Sequence, residues 1–267
     1  MPLRVLRKGV KGKDVERWQN FLIGRGFKDG VLADGDFGQK THNATVEFQK
    51  QFNLLADGIV ANKTFAKAME LGFELVEDKE DASTAGPNFP PPPDFQPLVT
   101  NAQREKVFGK IEFKRKPLPN NKENVVITNG WDKENIEKIV IPQLVGVEGA
   151  PHDGGIFFHR LARKQLIDMW AGWEKAGLSD RVLSWGGSFV PRLVRGTTST
   201  LSNHAFGTAF DINVPFNFLG SMPALVGRRG SVRELVKIAN DNGFWWGGHF
   251  NKRKDGMHFE VAVVAKE

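Results

Sequence analysis

The chain has 267 residues, of which 40 % are hydrophobic and 25 % charged, a composition and length that suit two folded domains of ordinary size. It contains no cysteine, which excludes disulfides, thiolate metal ligands and a cysteine nucleophile, so a transition metal must be held by histidine and carboxylate groups. The net charge of +6 predicts attraction to polyanions, but no Lys/Arg run with interleaved aromatic residues favours nucleic acid.

The N-terminal sequence MPLRVLRKGVKGKD is basic, but the apolar stretch of a secretory signal does not follow it. No segment approaches the roughly 20 consecutive apolar residues of a membrane span. We therefore expect synthesis in the cytoplasm without a signal peptide, and no membrane insertion.

The first part of the chain contains an internal repeat of the form D-G-x-[apolar]-x-x-x-T, whose two copies begin at Asp34 and Asp57. Asp-Gly favours a tight turn because glycine tolerates positive φ, and each turn is expected to lead into a helix. Apolar residues at helical spacing predict helices at about residues 13–23 and 41–52, with a third, short helix after Thr64. The prediction is a small three-helix module.

This module resembles the peptidoglycan-binding domain type 1 family over residues 4–73. The pattern of that family is present as Gly9, Gly12, Leu22, Gly26, Asp34 to Thr41, Phe48-Gln49 and Asp57 to Thr64. Two positions depart from it, since Ala61 stands where glycine is usual and Phe65 where tryptophan is common. The resemblance implies that residues 1–74 form a domain that binds bacterial peptidoglycan, with a generic helical interaction module as the alternative.

Residues 75–100 contain acidic residues, then small residues, then four consecutive prolines. Such a segment buries too little apolar surface to fold, and proline keeps it extended. We predict an acidic, proline-rich linker, with a proline-rich ligand for a partner domain as the alternative.

Residues 101–267 are predicted to form a second domain of the α+β class. Strand-like runs lie at about residues 123–128, 137–141 and 257–264, and helices at about residues 156–176 and 231–242. These elements alternate without the regular rhythm of βαβ units, which argues against a parallel sheet.

Two motifs in this domain carry chemically active side chains, S-x-H-x-x-G-x-A-x-D at residues 202–211 and D-x-x-H-F-E at residues 255–260. Two imidazoles and a carboxylate are a frequent zinc shell that leaves a fourth position for water. A nearby acid must then accept the proton of that water. Because Asp255 and His258 would point to opposite faces of a strand, we expect Asp255 to lie in a turn that Gly256 makes possible.

Together the motifs resemble the VanY-like D-Ala-D-Ala carboxypeptidase family, whose fold is shared by the hedgehog signalling domain, over about residues 130–264. The resemblance implies one zinc ion held by His204, Asp211 and His258, with Asp255 as the catalytic acid/base. Many members carry glutamate at that last position, so the shorter aspartate of this chain must be placed by its backbone.

The same resemblance implies an arginine that binds a substrate carbonyl or carboxylate, located in the Gly/aromatic-rich segment before the metal motif. Arg192 is the first choice for this group at the developing oxyanion and Arg195 is the second.

Four other residues have open roles in this prediction. Ser202 binds substrate, supports the ligands or only shapes its turn, and Glu260 orients a ligand histidine or is a solvated strand residue. Trp246 lines the cleft or packs in the core. His249 contacts substrate or packs, and ligation of the metal in place of a motif histidine is the third possibility.

The predicted fold is therefore a hedgehog/D-Ala-D-Ala-peptidase-like zinc domain preceded by a three-helix peptidoglycan-binding domain. The predicted activity is zinc-dependent hydrolysis of peptidoglycan stem peptides, as a D-Ala-D-Ala or L,D-carboxypeptidase or an L-Ala-D-Glu endopeptidase, by a monomer anchored to the wall. We expect a phage or prophage enzyme of the endolysin type, which reaches the wall after its release. The alternative is a non-catalytic wall-binding or phage structural protein that retains the zinc-bound scaffold.

Overall fold

Two compact units, residues 1–82 and residues 83–267, make up the chain. The computed structural model describes residues 4–27, 30–71, 73, 89–119, 121–251 and 253–265. Residues 75–88 of the predicted linker lie outside this described part. None of the helices within it combines the length and the apolar character that a membrane crossing requires.

Helices dominate the first unit. They are α1 (Lys13–Gly24), α2 (Gln39–Gln51) and α3 (Asn62–Glu70). Their apolar faces meet in a buried aromatic core, in which the Trp18 ring lies edge-on to the rings of Phe48 and Phe65. The three helices predicted from apolar spacing are therefore present, with α3 beginning two residues before Thr64.

A buried glutamine in the preceding helix holds each copy of the Asp-Gly repeat. The Gln49 side-chain amide donates to the side chains of Asp57 and Thr64 and to a backbone carbonyl between them, and it accepts a bond from the Gly58 N–H. Gln19 makes the same four bonds in the first copy. The repeat is thus a repeated hydrogen-bonding unit as well as a sequence pattern.

The second unit mixes helices and strands. Its described helices are α4 (Asn101–Phe108), α5 (Trp131–Asn135), α6 (Arg163–Lys175) and α7 (Val236–Asp241). Its described strands are β1 (Phe113–Arg115), β2 (Val125–Ile127), β3 (Ile136–Val140), β4 (Gly155–His159), β5 (Trp185–Gly187), β6 (Ala209–Ile212), β7 (Phe244–Trp246) and β8 (His258–Val261). Two antiparallel ribbons, β1–β2 and β3–β4, accompany an antiparallel sheet of order β5–β6–β8–β7. The predicted α+β class is confirmed.

Side-chain alternation gives the middle strands β6 and β8 two different faces. On one face Phe210 and Phe259 stack with their ring centroids 5.5 Å apart, and Trp173 of α6 packs against both in the core. Asp211 and His258, the next residue in one strand and the preceding residue in the other, therefore lie on the opposite face.

The predicted helix at residues 156–176 is wrong in its first part. Ile156 and Phe158 are buried in β4 while Phe157 between them is 55 % exposed, and α6 begins only at Arg163. A short apolar run after two glycines fits a strand as well as a helix, and pairing with β3 decides in favour of the strand.

The end of the proline-rich segment packs on the second unit, to which it belongs. Phe89 is 8 % exposed, and its ring lies 5.5 Å from the ring of Trp246. The cationic groups of Arg233 and Lys254 lie over the Phe89 ring at 5.2 and 4.9 Å. Here the structure differs from the predicted linker, because one large aromatic side chain docks the extended segment.

Candidate metal centre

Three ligand-type side chains meet on the polar face of the central sheet. Asp211 in β6 lies directly opposite His258 in β8, and residues paired in this way on antiparallel strands share a face. His204 reaches them from the short 3-10 helix Asn203–Phe206, which precedes β6. The antiparallel register therefore brings together the two motifs, which are far apart in sequence.

The three potential donor atoms form a tight triangle. His204 Nε2 lies 3.2 Å from His258 Nδ1 and 3.3 Å from Asp211 Oδ1, and the latter two atoms are 2.9 Å apart. Donors at about 2.0–2.1 Å from one tetrahedral zinc ion would be separated by about 3.3 Å. A borderline metal such as zinc also suits two imidazoles and one carboxylate, so the donor set fits that ion in both chemistry and spacing.

The outer nitrogen of each imidazole faces an acceptor. His204 Nδ1 lies 2.7 Å from the Ser188 carbonyl oxygen, and His258 Nε2 lies 2.9 Å from the Glu260 carboxylate. When these nitrogens carry the protons, the inner nitrogens present lone pairs to the centre of the triangle. Acceptors that hold the outer nitrogen in this way fix the tautomer of metal-binding histidines.

The charges around the triangle favour a positive ion. Burial alone would lower the pKa of His258, but hydrogen bonds with Asp211 and Glu260 outweigh it and raise that pKa to about 10. Burial likewise opposes ionisation of Asp211, yet the two histidines hold the pKa of its carboxyl well below the ordinary value. Asp211 and Glu260 thus place two negative charges around His258, and these attract a cation, whether a proton or a metal ion.

The local sequence explains why His204 sits where it does. The Ser202 hydroxyl accepts a hydrogen bond from the His204 N–H and caps the 3-10 helix, so it shapes the turn, one of the roles predicted for it. Gly207 ends that helix at φ +61, and a Cβ there would lie 2.5 Å from the Ile136 side chain. The glycine of the first motif is needed for both reasons.

Asp255 lies beside the triangle in the turn that leads into β8, as its spacing from His258 predicts. Its Oδ1 is buried and has no hydrogen-bond partner in the described part of the chain. Burial is the main reason why the pKa of Asp255 rises to about 6; the negative charge of Asp211 adds to this, and His258 and Arg192 oppose it. The site thus contains a carboxyl group with a pKa close to neutrality and a free oxygen.

A backbone brace holds this turn. The Trp246 indole N–H donates to the Gly256 carbonyl over 2.8 Å, and the Asp255 N–H donates to the Gly247 carbonyl over 2.9 Å. A Cβ on Gly256 would lie 2.7 Å from Pro223, so close approach of another segment requires this glycine, whose φ is not positive.

Two of the residues predicted to contact substrate, Trp246 and His249, have other contacts in the structure. Trp246 is fully buried, so it cannot touch a substrate and instead supports the Asp255 turn. His249 donates from Nε2 to the Pro90 carbonyl over 2.8 Å and packs against Trp245 and Phe89. His249 therefore contacts the docked proline-rich segment and β7, and it is not a member of the donor triangle.

The two predicted arginines differ in their placement. Arg192 is partly buried, and the charges of Asp211 and Asp255 act on its guanidinium. Arg195 is exposed, although its charge also acts on Asp255. Of the two, Arg192 is therefore the one on whose guanidinium the charges of both Asp211 and Asp255 act.

The motifs leave two buried polar residues near the site unassigned. Asn203 contacts Glu260, and Arg104 contacts Asn203. The position of Asn203 beside His204 is a signal that could have drawn attention to it, whereas nothing in the sequence around Arg104 marks it.

Two family models match separate parts of the chain. Residues 195–261 match a model described as "D-alanyl-D-alanine carboxypeptidase". Residues 11–68 match a model described as "Putative peptidoglycan binding domain". The first match includes the donor triangle and Asp255, and the second includes both Asp-Gly turns.

Similar proteins match only part of the chain. "N-acetylmuramoyl-L-alanine amidase CwlM" of Mycobacterium tuberculosis is 45 % identical over 83 residues, which are 28 % of this chain and 20 % of that protein. "Probable N-acetylmuramoyl-L-alanine amidase" of Bacillus licheniformis is 38 % identical over 61 residues, or 22 % and 17 %. The chain thus spans a fifth or less of the length of these curated relatives. The crystal structure of the SleB N-terminal domain is 34 % identical, covers 26 % of this chain and 92 % of that chain, and gives a TM-score of 0.25.

Proposed function

We propose that this chain, which matches a peptidoglycan-binding model over residues 11–68 and a D-alanyl-D-alanine carboxypeptidase model over residues 195–261, is a zinc-dependent peptidase of peptidoglycan stem peptides. Its first unit anchors it to the wall, and its second unit hydrolyses a peptide bond there. The chain spans only 20 % and 17 % of the two amidase-named relatives, so the activity in their names is not carried over to it.

The observation that carries the proposal is the triangle of His204, Asp211 and His258 with the unpartnered carboxyl of Asp255 beside it. A purely structural zinc site is normally closed by four protein ligands. Three ligands beside a free acid are the arrangement of a hydrolytic site, since one metal position is left for water or substrate.

His204, Asp211 and His258 would hold the ion. The chemistry that zinc supplies when bound is Lewis acidity, which polarises the scissile carbonyl and lowers the pKa of a water molecule towards neutrality. Asp255 takes the proton of the attacking water at its free Oδ1 and later delivers it to the leaving amine. Burial raises the pKa of Asp255 above its ordinary value, which is the direction that favours proton exchange near neutral pH.

Arg192 is the proposed partner of the charge that develops on the substrate. Its guanidinium is attracted to Asp211 and Asp255, so it faces the same region as the triangle, and partial burial strengthens its action on an oxyanion. Arg195, which is exposed, is the second choice for holding a substrate carboxylate.

Attachment to the wall raises the local concentration of substrate around the second unit. A basic chain, with a net charge of +6, is also attracted to an anionic cell wall. We propose that the enzyme is a monomer of the endolysin type that acts on the wall after its release.

Metal removal tests this proposal. The purified chain is expected to bind one equivalent of zinc, to release peptide fragments or D-Ala from peptidoglycan, to lose that activity with a chelator and to regain it with zinc. His204→Ala is expected to lose both zinc and activity. Full hydrolysis by His204→Ala, or full hydrolysis by chelated protein, would contradict the proposal.

A further inference from the structure

A chain of buried hydrogen bonds links helix α4 to the donor triangle. Arg104 Nε donates to Asn203 Oδ1 over 2.6 Å, Asn203 Nδ2 donates to the Glu260 carboxylate, and that carboxylate accepts from His258 Nε2 over 2.9 Å. The four residues are only 3–6 % exposed. This series of hydrogen bonds therefore connects α4 to the imidazole of His258 through groups that are shielded from solvent.

The chemistry of the groups gives this chain a fixed direction. A guanidinium can only donate, so the Asn203 amide must turn its oxygen to Arg104 and its nitrogen to Glu260. A carboxylate can only accept, so Glu260 takes bonds from both neighbours and leaves the proton of His258 on Nε2. In the singly protonated imidazole, which is the form that binds a metal ion, His258 Nδ1 then presents its lone pair to the centre of the triangle.

The burial of Arg104 calls for a reason, because an uncompensated buried charge is costly and an apolar residue would fill the same space. Burial lowers the pKa of its guanidinium, and the negative charge of Glu260 opposes that change. The positive charge of Arg104 thus acts on the buried carboxylate that contacts His258.

Helix α4 is held firmly enough to serve as an anchor. Thr100 and Gln103 form a reciprocal capping box at its start. The Asn101 side chain donates to the Ser199 carbonyl and accepts from the Leu201 N–H, which ties the helix to the segment just before the first motif.

We propose that Arg104 is a positioning residue for the metal site, which acts through Asn203 and Glu260 to fix the tautomer and the orientation of His258. This inference rests on the proposed function, since it presupposes a metal ion at the triangle. It places part of the site in a helix that lies well outside the matched family segment at residues 195–261.

The test measures zinc affinity of the full chain by competition with a chromophoric chelator. Arg104→Met, which keeps the length of the side chain without its charge, and Glu260→Gln are each expected to raise the zinc Kd about 10- to 100-fold. The zinc Kd of the double variant is expected to be no higher than that of the weaker-binding single variant, because both substitutions break the same series of hydrogen bonds. The cobalt-substituted variants are expected to have altered visible absorption, which a merely structural role would not change.

Gln165→Met is the matched control, because Gln165 is also a buried polar residue of the second unit, but its side chain bonds to backbone groups of Asn242, Val263 and Ala265, which take no part in the series from Arg104 to His258. It is expected to lower the Tm and leave the zinc Kd unchanged. If Arg104→Met does not fold, Glu260→Gln and Asn203→Leu carry the same comparison.

The outcomes separate the two proposals. Absence of zinc binding by the unaltered chain would overturn the proposed function. Zinc binding by the unaltered chain that is lost in His204→Ala but retained at full affinity in Arg104→Met and Glu260→Gln would overturn the positioning role alone. Fully additive effects of the two substitutions would also overturn it.

Discussion

Asp255 and Glu260 are acidic residues on either side of His258, yet their surroundings give them different tasks. Glu260 accepts hydrogen bonds from both Asn203 and His258 at one carboxylate oxygen, which engages it in orienting the imidazole. Asp255 has a buried oxygen without a partner in the described residues, which leaves it free to exchange a proton.

Asp255→Asn tests this division. The amide keeps the size of the side chain but cannot accept a proton, so kcat is expected to fall by about 10²- to 10⁴-fold. Because Asp255 is not one of the three proposed ligands, the zinc-to-protein ratio should stay at that of the unaltered chain. A variant with unchanged kcat would remove Asp255 from the mechanism, and loss of zinc would make it a ligand.

His159 illustrates a histidine with a structural role. It is fully buried against Phe108 and Trp131, and its Nδ1 accepts a hydrogen bond from the Leu161 N–H. Burial is the main cause that lowers its pKa from 6.5 to about 4. The unfolded chain therefore binds a proton between pH 6.5 and 4 that the folded chain does not.

The contribution of neutral His159 to the free energy of unfolding is therefore complete above about pH 6.5. It falls by about 3 kcal/mol as the pH drops towards 4. His159→Asn keeps an acceptor for Leu161 and is expected to flatten that slope, measured by urea unfolding at several pH values. His152→Asn removes an exposed histidine and serves as the control. Equal slopes in the unaltered chain and His159→Asn would contradict the assignment.

At the scale of elements, the two Asp-Gly turns depend on one glutamine each. Gln49 satisfies four groups at once, and two of them, the Gly58 N–H and the Thr64 hydroxyl, belong to buried residues. A glutamine two residues before the end of α2 thus holds the turn that follows this helix.

Gln49→Ala is expected to lower the free energy of unfolding of the first unit by roughly 2–3 kcal/mol, because buried polar groups lose their partners. Gln51→Ala, an exposed glutamine of the same helix, is expected to have almost no effect. Calorimetry of both variants checks the difference. Similar decreases in the free energy of unfolding of the two variants would show that the hydrogen bonds of Gln49 do not stabilise the first unit.

The sequence predicted some elements better than others, for physical reasons. The helices of the first unit and the turn that holds Asp255 were predicted because local spacing determines them. The strand β4 was mistaken for helix, because its burial comes from pairing with β3, which is a contact between distant residues. Docking of Phe89 and the link from Arg104 to Glu260 likewise depend on tertiary contacts that no local pattern encodes.

At the scale of the whole molecule, each compact unit has its own buried aromatic core. This separation allows wall binding and hydrolysis to be tested apart. The two functions are proposed to cooperate only by raising the local concentration of substrate.

Removal of residues 1–82 is expected to reduce co-sedimentation with insoluble peptidoglycan and to slow its digestion. Hydrolysis of a small soluble stem peptide should keep the kcat/KM of the full chain, because that substrate offers nothing for the first unit to bind. Equal loss on both substrates would indicate that the first unit is needed for the fold or the site instead of for attachment.

The central claim is that the donor triangle with Asp255 hydrolyses a peptide bond of the wall. Mass spectrometry of peptidoglycan digested by the zinc-loaded full chain tests it most directly, with chelated protein and His204→Ala as controls. We expect products with new amino and carboxyl termini inside the stem peptide, or free D-Ala, and neither should appear in the two controls. Intact stem peptides released from the sugar at the lactyl amide, or no products at all, would contradict it.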